Sequence, residues 1–141
     1  MKYRLNFGCF ILLAENIVEV TIDEGIEFSL EMIEECAVFF KAHIPGDFGM
    51  LINRTNEYSY SYEAKLSICS YEGLKAIAFV CHSDNSHIIV ADVNLLRAYD
   101  KWNSAIFSGL ELEWQQALQW LKGELLIGDQ QAANIEQLIP S

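Results

Sequence analysis

The stretch Ala76-Ile-Ala-Phe-Val80 decides the fold of this chain. It is continuously apolar within the longer segment 74–82, and such a run is typical of a central strand that is covered on both faces of a parallel sheet. A second apolar run, Phe48–Arg54, predicts another strand. A helix is predicted between the two runs, so the connection is a crossover, which is right-handed in nearly all proteins. The centre of the molecule is therefore predicted to be a parallel sheet.

The amino-terminal part predicts two antiparallel strands followed by a helix. Residues 5–13 and Ile17–Ile22 have apolar and alternating patterns, and they are expected to form a hairpin. Ser29 is a favourable N-cap for a first helix that ends near His43, before a Pro-Gly pair. The core-facing stripe predicted for this helix comprises Leu30, Ile33, Ala37 and Phe40.

The carboxyl-terminal part predicts two further helices and a short strand. Residues 83–86 are expected to form a turn or cap before a helix over 88–99, whose β-branched start is also compatible with a strand. Residues 105–107 predict an edge strand, and Ser108 is the expected cap of a last helix.

Together these elements predict an α/β fold with a mixed sheet of about five strands and about four helices. One domain is expected over residues 1–124. Residues 125–141 are predicted to be a C-terminal tail that contains a short amphipathic helix, because Gly123 and Gly128 interrupt the helical pattern before it.

Charge and hydropathy exclude several classes of partner. Nine basic and twenty acidic residues give a formal net charge of −11, which repels phosphate backbones and anionic lipid headgroups. Nucleic acid is therefore not an expected partner. The apolar run 7–14 follows Lys2 and Arg4 as in a signal peptide, but no small-residue cleavage site follows it, so a first strand is the preferred interpretation. The run is also too short to span a bilayer, so no membrane insertion is expected.

Cysteine usage predicts a cytoplasmic protein. The four cysteines are widely spaced, form no C-x-x-C pair and lie in apolar contexts, as reduced thiols packed in a core do. A secreted chain would more often pair them. They are Cys9, Cys36, Cys69 and Cys81.

The candidate site begins where the chain leaves the strand Phe48–Arg54. Ligands and partners dock beyond the carboxyl ends of strands in open α/β sheets, and polar residues with alternating tyrosine and serine follow this strand. An arginine there can clamp a carboxylate or phosphate, but it can equally pair with a surface glutamate, while the neighbouring asparagine ties down a turn. The predicted ligand- or partner-binding residues are Asn53, Arg54, Thr55, Tyr58, Ser59 and Ser61.

The sequence contains no catalytic, cofactor or metal signature. Cys81 and His82 are adjacent, with Asp84 nearby, which raises the possibility of a cysteine nucleophile with a histidine base. Adjacent strand residues point to opposite faces, so this pair is not expected to form a hydrogen bond. His82, Asp84 and His87 match no metal-ligand spacing. The protein is therefore predicted to be no enzyme, with no cofactor and no metal.

Four parts of the chain, in order and spacing, resemble one known family. These are residues 1–8, residues 52–54 with 56–59, residues 76–80, and residues 107–108 leading to 117–121. They resemble the small bacterial SpoIIAA-like proteins of the STAS superfamily, also called STAS/SEC14-domain proteins, over most of residues 1–124. The resemblance implies a STAS-like topology and a regulatory role. In that superfamily a serine at the start of the second helix is phosphorylated, but the corresponding segment 55–61 lacks the family's phosphorylation motif.

Three functions follow as hypotheses. The first is a non-enzymatic regulatory or binding module that contacts a protein partner at the start of the second helix. The second is a carrier or sensor of a small apolar ligand such as a lipid, which requires an enclosed cavity of several hundred cubic ångströms. The third and least favoured is a cysteine hydrolase. The aromatic content and the helical tail are also compatible with a homodimer.

Overall fold

The computed structural model describes residues 1–100, 102–108 and 112–138, with 127–138 as helix backbone only. In these residues the chain forms eight strands and four α-helices. The strands are β1 Lys2–Leu5, β2 Gly8–Ala14, β3 Ile17–Ile22, β4 Glu27–Phe28, β5 Phe48–Arg54, β6 Ser59–Tyr60, β7 Leu74–Cys81 and β8 Ser104–Ser108. The helices are α1 Leu30–His43, α2 Tyr62–Ser67, α3 Asp84–Leu96 and α4 Glu113–Leu138, and a 3-10 turn, Ala98–Asp100, follows α3.

The main sheet is mixed and has the order β1-β2-β3-β5-β7-β8. The first three strands form an antiparallel meander, and β3, β5, β7 and β8 are mutually parallel. The α/β class, the mixed sheet and the four helices are as predicted, although the sheet has six strands. The short strands β4 and β6 pair in parallel as a separate ribbon that the sequence did not predict.

The additional strand arises from a turn at the amino terminus. Residues 5–13 were expected to form one strand, but the chain reverses at Asn6-Phe7, so that Leu5 pairs with Gly8. Gly8 is needed there, because a Cβ at this position would lie 2.5 Å from the carbonyl oxygen of Thr21 on β3. The turn therefore adds the antiparallel edge strand β1, and the glycine allows β2 to lie close to β3 on its other side.

The two faces of the sheet are covered by different helices. Helices α1, α2 and α3 pack on one face through the largest core cluster, which includes Phe40, Ala64 and Val90. Helix α4 packs on the other face, where Ala117, Leu121 and Leu125 meet residues such as Leu51 and Val80. Successive right-handed crossovers that step in one direction across a sheet put their helices on one face, so the opposite face needs a separate cover.

Three helices differ in detail from the sequence prediction. Helix α1 begins after Ser29 as expected, but its buried residues are Ile33, Cys36, Phe39 and Phe40. Leu30 and Ala37 are exposed, because the stripe is rotated toward the aromatic residues that pack on Phe10 of β2.

Helix α3 begins at Asp84, not near Ile88, because the Ser83 hydroxyl caps it by accepting from the amide of Ser86. Helix α4 begins at Glu113, five residues beyond the expected cap Ser108. It then continues through Gly123 and Gly128 as one helix to Leu138. Leu125 packs in the core, and residues 139–141 of the expected tail lie outside the described residues.

Candidate functional site

The residues of the predicted site are divided between the two faces of the sheet. Asn53 and Arg54 are consecutive residues at the carboxyl end of β5, so their side chains point to opposite faces. Arg54 lies on the side covered by α1, α2 and α3, whereas Asn53 lies on the side covered by α4.

Arg54 is a buried part of the scaffold, with only 1% of its surface exposed. Its Nε donates to Ser86 Oγ at 2.6 Å, its Nη1 to the Tyr60 hydroxyl at 3.0 Å, and its Nη2 to the Tyr58 carbonyl at 2.7 Å. The guanidinium also lies over the Tyr58 ring, 3.9 Å from its centroid. In this structure the planar edge that would clamp an anion is therefore occupied by protein groups.

Tyr58 and Tyr60 belong to the same buried cluster. Both are almost fully buried, and their hydroxyl oxygens lie 3.1 Å apart. Burial raises the pKa of both phenols, so both are neutral at pH 7. Tyr58 and Tyr60 thus face inward and contact Arg54, whereas Tyr62, the third of the alternating tyrosines, is exposed.

The hydroxyl residues of the predicted site lie near the start of α2. Thr55 and Ser59 are exposed. Ser61 is half-buried and caps α2, because its hydroxyl accepts a hydrogen bond from the amide of Ala64 at 3.1 Å. Ser59 is held by its backbone, whose amide donates to the Ile26 carbonyl beside β4.

A groove of about 240 Å³ lies between α2 and α3, beside Ser59. Lys65 and Asp92 face each other in it, with Nζ and Oδ2 3.0 Å apart. Ile88 lines the groove beside this ion pair, and α2 and α3 carry further exposed apolar side chains. The surface of the two helices is hereafter the α2–α3 face. Its residues are Ser59, Tyr62, Lys65, Leu66, Ile88, Asp92 and Leu95.

The apolar residues of the α2–α3 face are the functional signal that the sequence analysis did not use. Ile88 and Leu95 are 66% and 77% exposed, while Val90 and Val93 of the same helix are buried. Residues 88, 92 and 95 follow the helical period, so they form one outer stripe. A helix that is apolar on both sides could have indicated a second contact surface.

A polar cluster lies at the carboxyl edge of the sheet on the side of α4. Glu19 Oε2 accepts from Trp114 Nε1 at 2.6 Å and from Asn53 Nδ2 at 3.1 Å. Asn53 Oδ1 lies 2.8 Å from His82 Nε2, and His82 Nδ1 lies 3.6 Å from Glu113 Oε1. Glu19, Glu113 and Trp114 were not among the predicted site residues, because residues 19 and 114 meet only through the fold.

Glu57 occupies the amino end of α3. Its carboxylate accepts from the Ser83 hydroxyl and, at 3.0 Å, from Asn85 Nδ2. These hydrogen bonds, that of Ser83 first, lower the pKa of Glu57. The amino end of α3, just beyond the carboxyl end of β7, therefore already holds a carboxylate from the chain itself.

The geometry does not favour a cysteine nucleophile. Cys81 is buried on the side of Arg54, and burial raises the pKa of its thiol. His82 is directed to the opposite face, where it contacts Asn53 and Glu113. The thiol therefore lacks the adjacent base that this chemistry needs.

The apolar space beneath α1 and α2 is small. The cavity lined by Val20, Phe28, Met50, Ile52 and Tyr71, among others, measures about 20 Å³. An apolar ligand of lipid size needs several hundred cubic ångströms, so this cavity could hold one only after a large rearrangement of the helices.

No group of three or more His, Cys, Asp and Glu side chains in the described residues is arranged to hold a metal ion. Within the same residues, no helix combines the length and apolarity needed to cross a membrane. Comparison of the chain with protein-family models, with curated proteins and with solved structures found no match.

Proposed function

We propose that this protein is a non-enzymatic interaction module, STAS-like in topology, that binds a protein partner through the α2–α3 face. The observation that carries the proposal is the exposure of four large apolar side chains on the two helices that border one groove, one of which, Ile88, lines the groove itself. They are Tyr62, Leu66, Ile88 and Leu95. Contiguous exposed apolar side chains with polar residues among them mark protein interaction surfaces. The predicted residue Ser59 lies in the same groove.

Hydrogen bonds from a buried arginine join the two helices of the α2–α3 face. Arg97, at the end of α3, donates to the Ile68 carbonyl at 2.6 Å and to Ser70 Oγ at 2.9 Å, just beyond α2. These bonds fix the spacing of the two helices. A surface that is ordered before binding loses less conformational entropy when the partner arrives.

The charge of the chain indicates the chemistry of the partner. With a net charge of −11, the protein attracts a partner whose contact surface is apolar at its centre and basic at its rim. The four free cysteines support a cytoplasmic location for this interaction, because three of them are buried as thiols.

The test uses surface variants and a matched control. The full chain is used to capture proteins from the native cell extract, and each captured protein is purified for calorimetric titration. We expect Ile88→Glu and Leu95→Glu to weaken binding at least about tenfold, since each puts a charge into an apolar contact. Val38→Glu changes a 71% exposed valine on α1 and is expected to bind like wild type.

Two results would contradict the proposal. One is equal affinity of wild type and the two α3 variants for every captured protein. The other is an equal loss of affinity with Val38→Glu. If sedimentation shows that the chain self-associates and that Leu95→Glu abolishes this, the partner is a second copy of the same chain.

A further inference from the structure

The polar cluster on the α4 side has hydrogen bonds whose directions can be assigned. Glu19 Oε2 is a carboxylate oxygen, so both of its neighbours at hydrogen-bond distance, Trp114 Nε1 and Asn53 Nδ2, are the donors. The amide of Asn53 is thereby oriented with its NH₂ group toward Glu19. Its carbonyl oxygen must then face the other way, toward His82.

The same reasoning fixes one proton of the His82 ring. Asn53 Oδ1 can only accept, so His82 Nε2, at 2.8 Å, must carry a hydrogen and donate it. In a neutral imidazole the other nitrogen, Nδ1, would then be a bare acceptor. That nitrogen lies 3.6 Å from Glu113 Oε1, so two acceptors would face each other.

The burial of Glu113 makes it unfavourable for its carboxylate to face an unprotonated Nδ1 of His82. Its side chain is only 5% exposed, and its Oε2 is buried with no hydrogen-bond partner among the residues that the structure describes. The ion pairs of the described residues bring neither lysine nor arginine to Glu19 or Glu113. A buried carboxylate is tolerated when a cation compensates it, and His82 is the group in position to do so.

We propose that His82 binds a second proton at Nδ1 and that the resulting imidazolium pairs with Glu113 to fasten the first turn of α4 to the sheet. The groups that face this ring are Glu113 from α4 and Asn53 from β5, with Glu19 of β3 behind Asn53. Both carboxylates favour the cation. Glu113 lies in the first turn of α4, where the helix dipole also favours its ionised form.

The pair would act as a proton-sensitive latch. Loss of the Nδ1 proton leaves Glu113 buried beside an acceptor, so the start of α4 is expected to loosen from the edge formed by β5 and β7. This inference concerns the face opposite the α2–α3 face and does not depend on the proposed partner.

The decisive measurement is the protonation of each ring nitrogen by ¹⁵N NMR at pH 7.5. An ordinary imidazole is only about one-tenth protonated at this pH. We expect both nitrogens of His82 to be protonated in wild type, and Nδ1 to be unprotonated in Glu113→Gln. His87, exposed on α3, is the reference ring in the same spectra.

A neutral His82 ring in the wild-type protein at pH 7.5 would overturn the proposal. Equal protonation of His82 in wild type and Glu113→Gln would also overturn it, since Glu113 would then have no effect. If Glu113→Gln does not fold, the proposal is tested instead by hydrogen exchange of the backbone amides in the wild-type protein, measured as a function of pH. The amides of residues 116 and 117, the first in α4 with helical hydrogen bonds, should then exchange faster, relative to the rest of α4, as the His82 proton is lost. The absence of such a change would contradict the proposal.

Discussion

The role of Arg54 in the structure differs from the role that its place in the sequence indicates. At a strand end beside polar residues, an arginine indicates anion binding. In the fold, Arg54 donates hydrogen bonds to the two tyrosines that follow it and to Ser86 of α3. These buried bonds connect β5, β6 and α3. Arg54 is therefore expected to contribute to the stability of the fold and not to the binding of an anion.

We expect Arg54→Lys to lower the free energy of unfolding by about 2–4 kcal/mol. Lysine keeps the charge but has one nitrogen, which cannot reach three acceptors arranged around a planar group, and each buried polar group left unpaired costs about 1–3 kcal/mol. Urea denaturation measures the change. Arg4→Lys is the control, because Arg4 forms an exposed ion pair with Asp23, and its denaturation midpoint should hardly move. Similar shifts in both variants would contradict the structural role of Arg54.

Glu57 gives a pH-dependent prediction at the same scale. Its pKa in the folded protein lies below the ordinary 4.5, so the fold favours the ionised form. The associated stability is present above pH 4.5 and is lost as the pH falls through the folded value. A ¹³C titration of the Glu57 carboxyl should therefore show a midpoint below 4.5 that rises in Asn85→Ala. An unchanged midpoint in Asn85→Ala would show that this hydrogen bond is not a cause.

At the scale of elements, glycines at two positions have opposite roles. Gly8 starts β2 where a side chain would collide with the backbone of β3. Gly123 lies within α4, and a Cβ added there would meet none of the described atoms within 4 Å. From the sequence, Gly123 was expected to interrupt a helical pattern, whereas Gly8 lay within a predicted strand, although glycine in general destabilises the interior of either element. Only the neighbouring strand distinguishes a required glycine from a replaceable one.

We expect Gly8→Ala to destabilise the protein by about 1–3 kcal/mol, the usual cost of forcing atoms into a packed region. Gly123→Ala should instead stabilise it by up to about 1 kcal/mol, since alanine is the better helix former. Thermal unfolding of the two variants measures both changes. A stabilising Gly8→Ala would mean that β2 and β3 do not approach as closely as the structure shows.

At the scale of the whole molecule, α4 covers the second face of the sheet. Three crossover helices cover one face, and the other face presents Ile17, Leu51, Ala78 and Val80 to α4. The continuous apolar stretch 76–80 correctly indicated a strand buried on both faces. It could not indicate which helix provides the second cover.

We expect a chain that ends at residue 112 to aggregate or to bind a hydrophobic dye strongly, because one apolar face of the sheet would be exposed. A chain that ends at residue 126 keeps the α4 residues Ala117, Leu121 and Leu125 and is the matched control. Dye fluorescence and sedimentation compare the two. A folded, monomeric protein without α4 would show that the second face needs no cover.

The sequence by itself determined the features that depend on near neighbours. Apolar runs gave the strands β5 and β7, a serine before an apolar helix gave the start of α1, and their alternation gave the α/β class. Only the tertiary structure decided which face each polar residue meets, because those contacts join distant parts of the chain. Trp114 and Glu19 are 95 residues apart and yet share a hydrogen bond. Local preferences act over a few residues, whereas the partner of a buried polar group is selected by how whole elements pack.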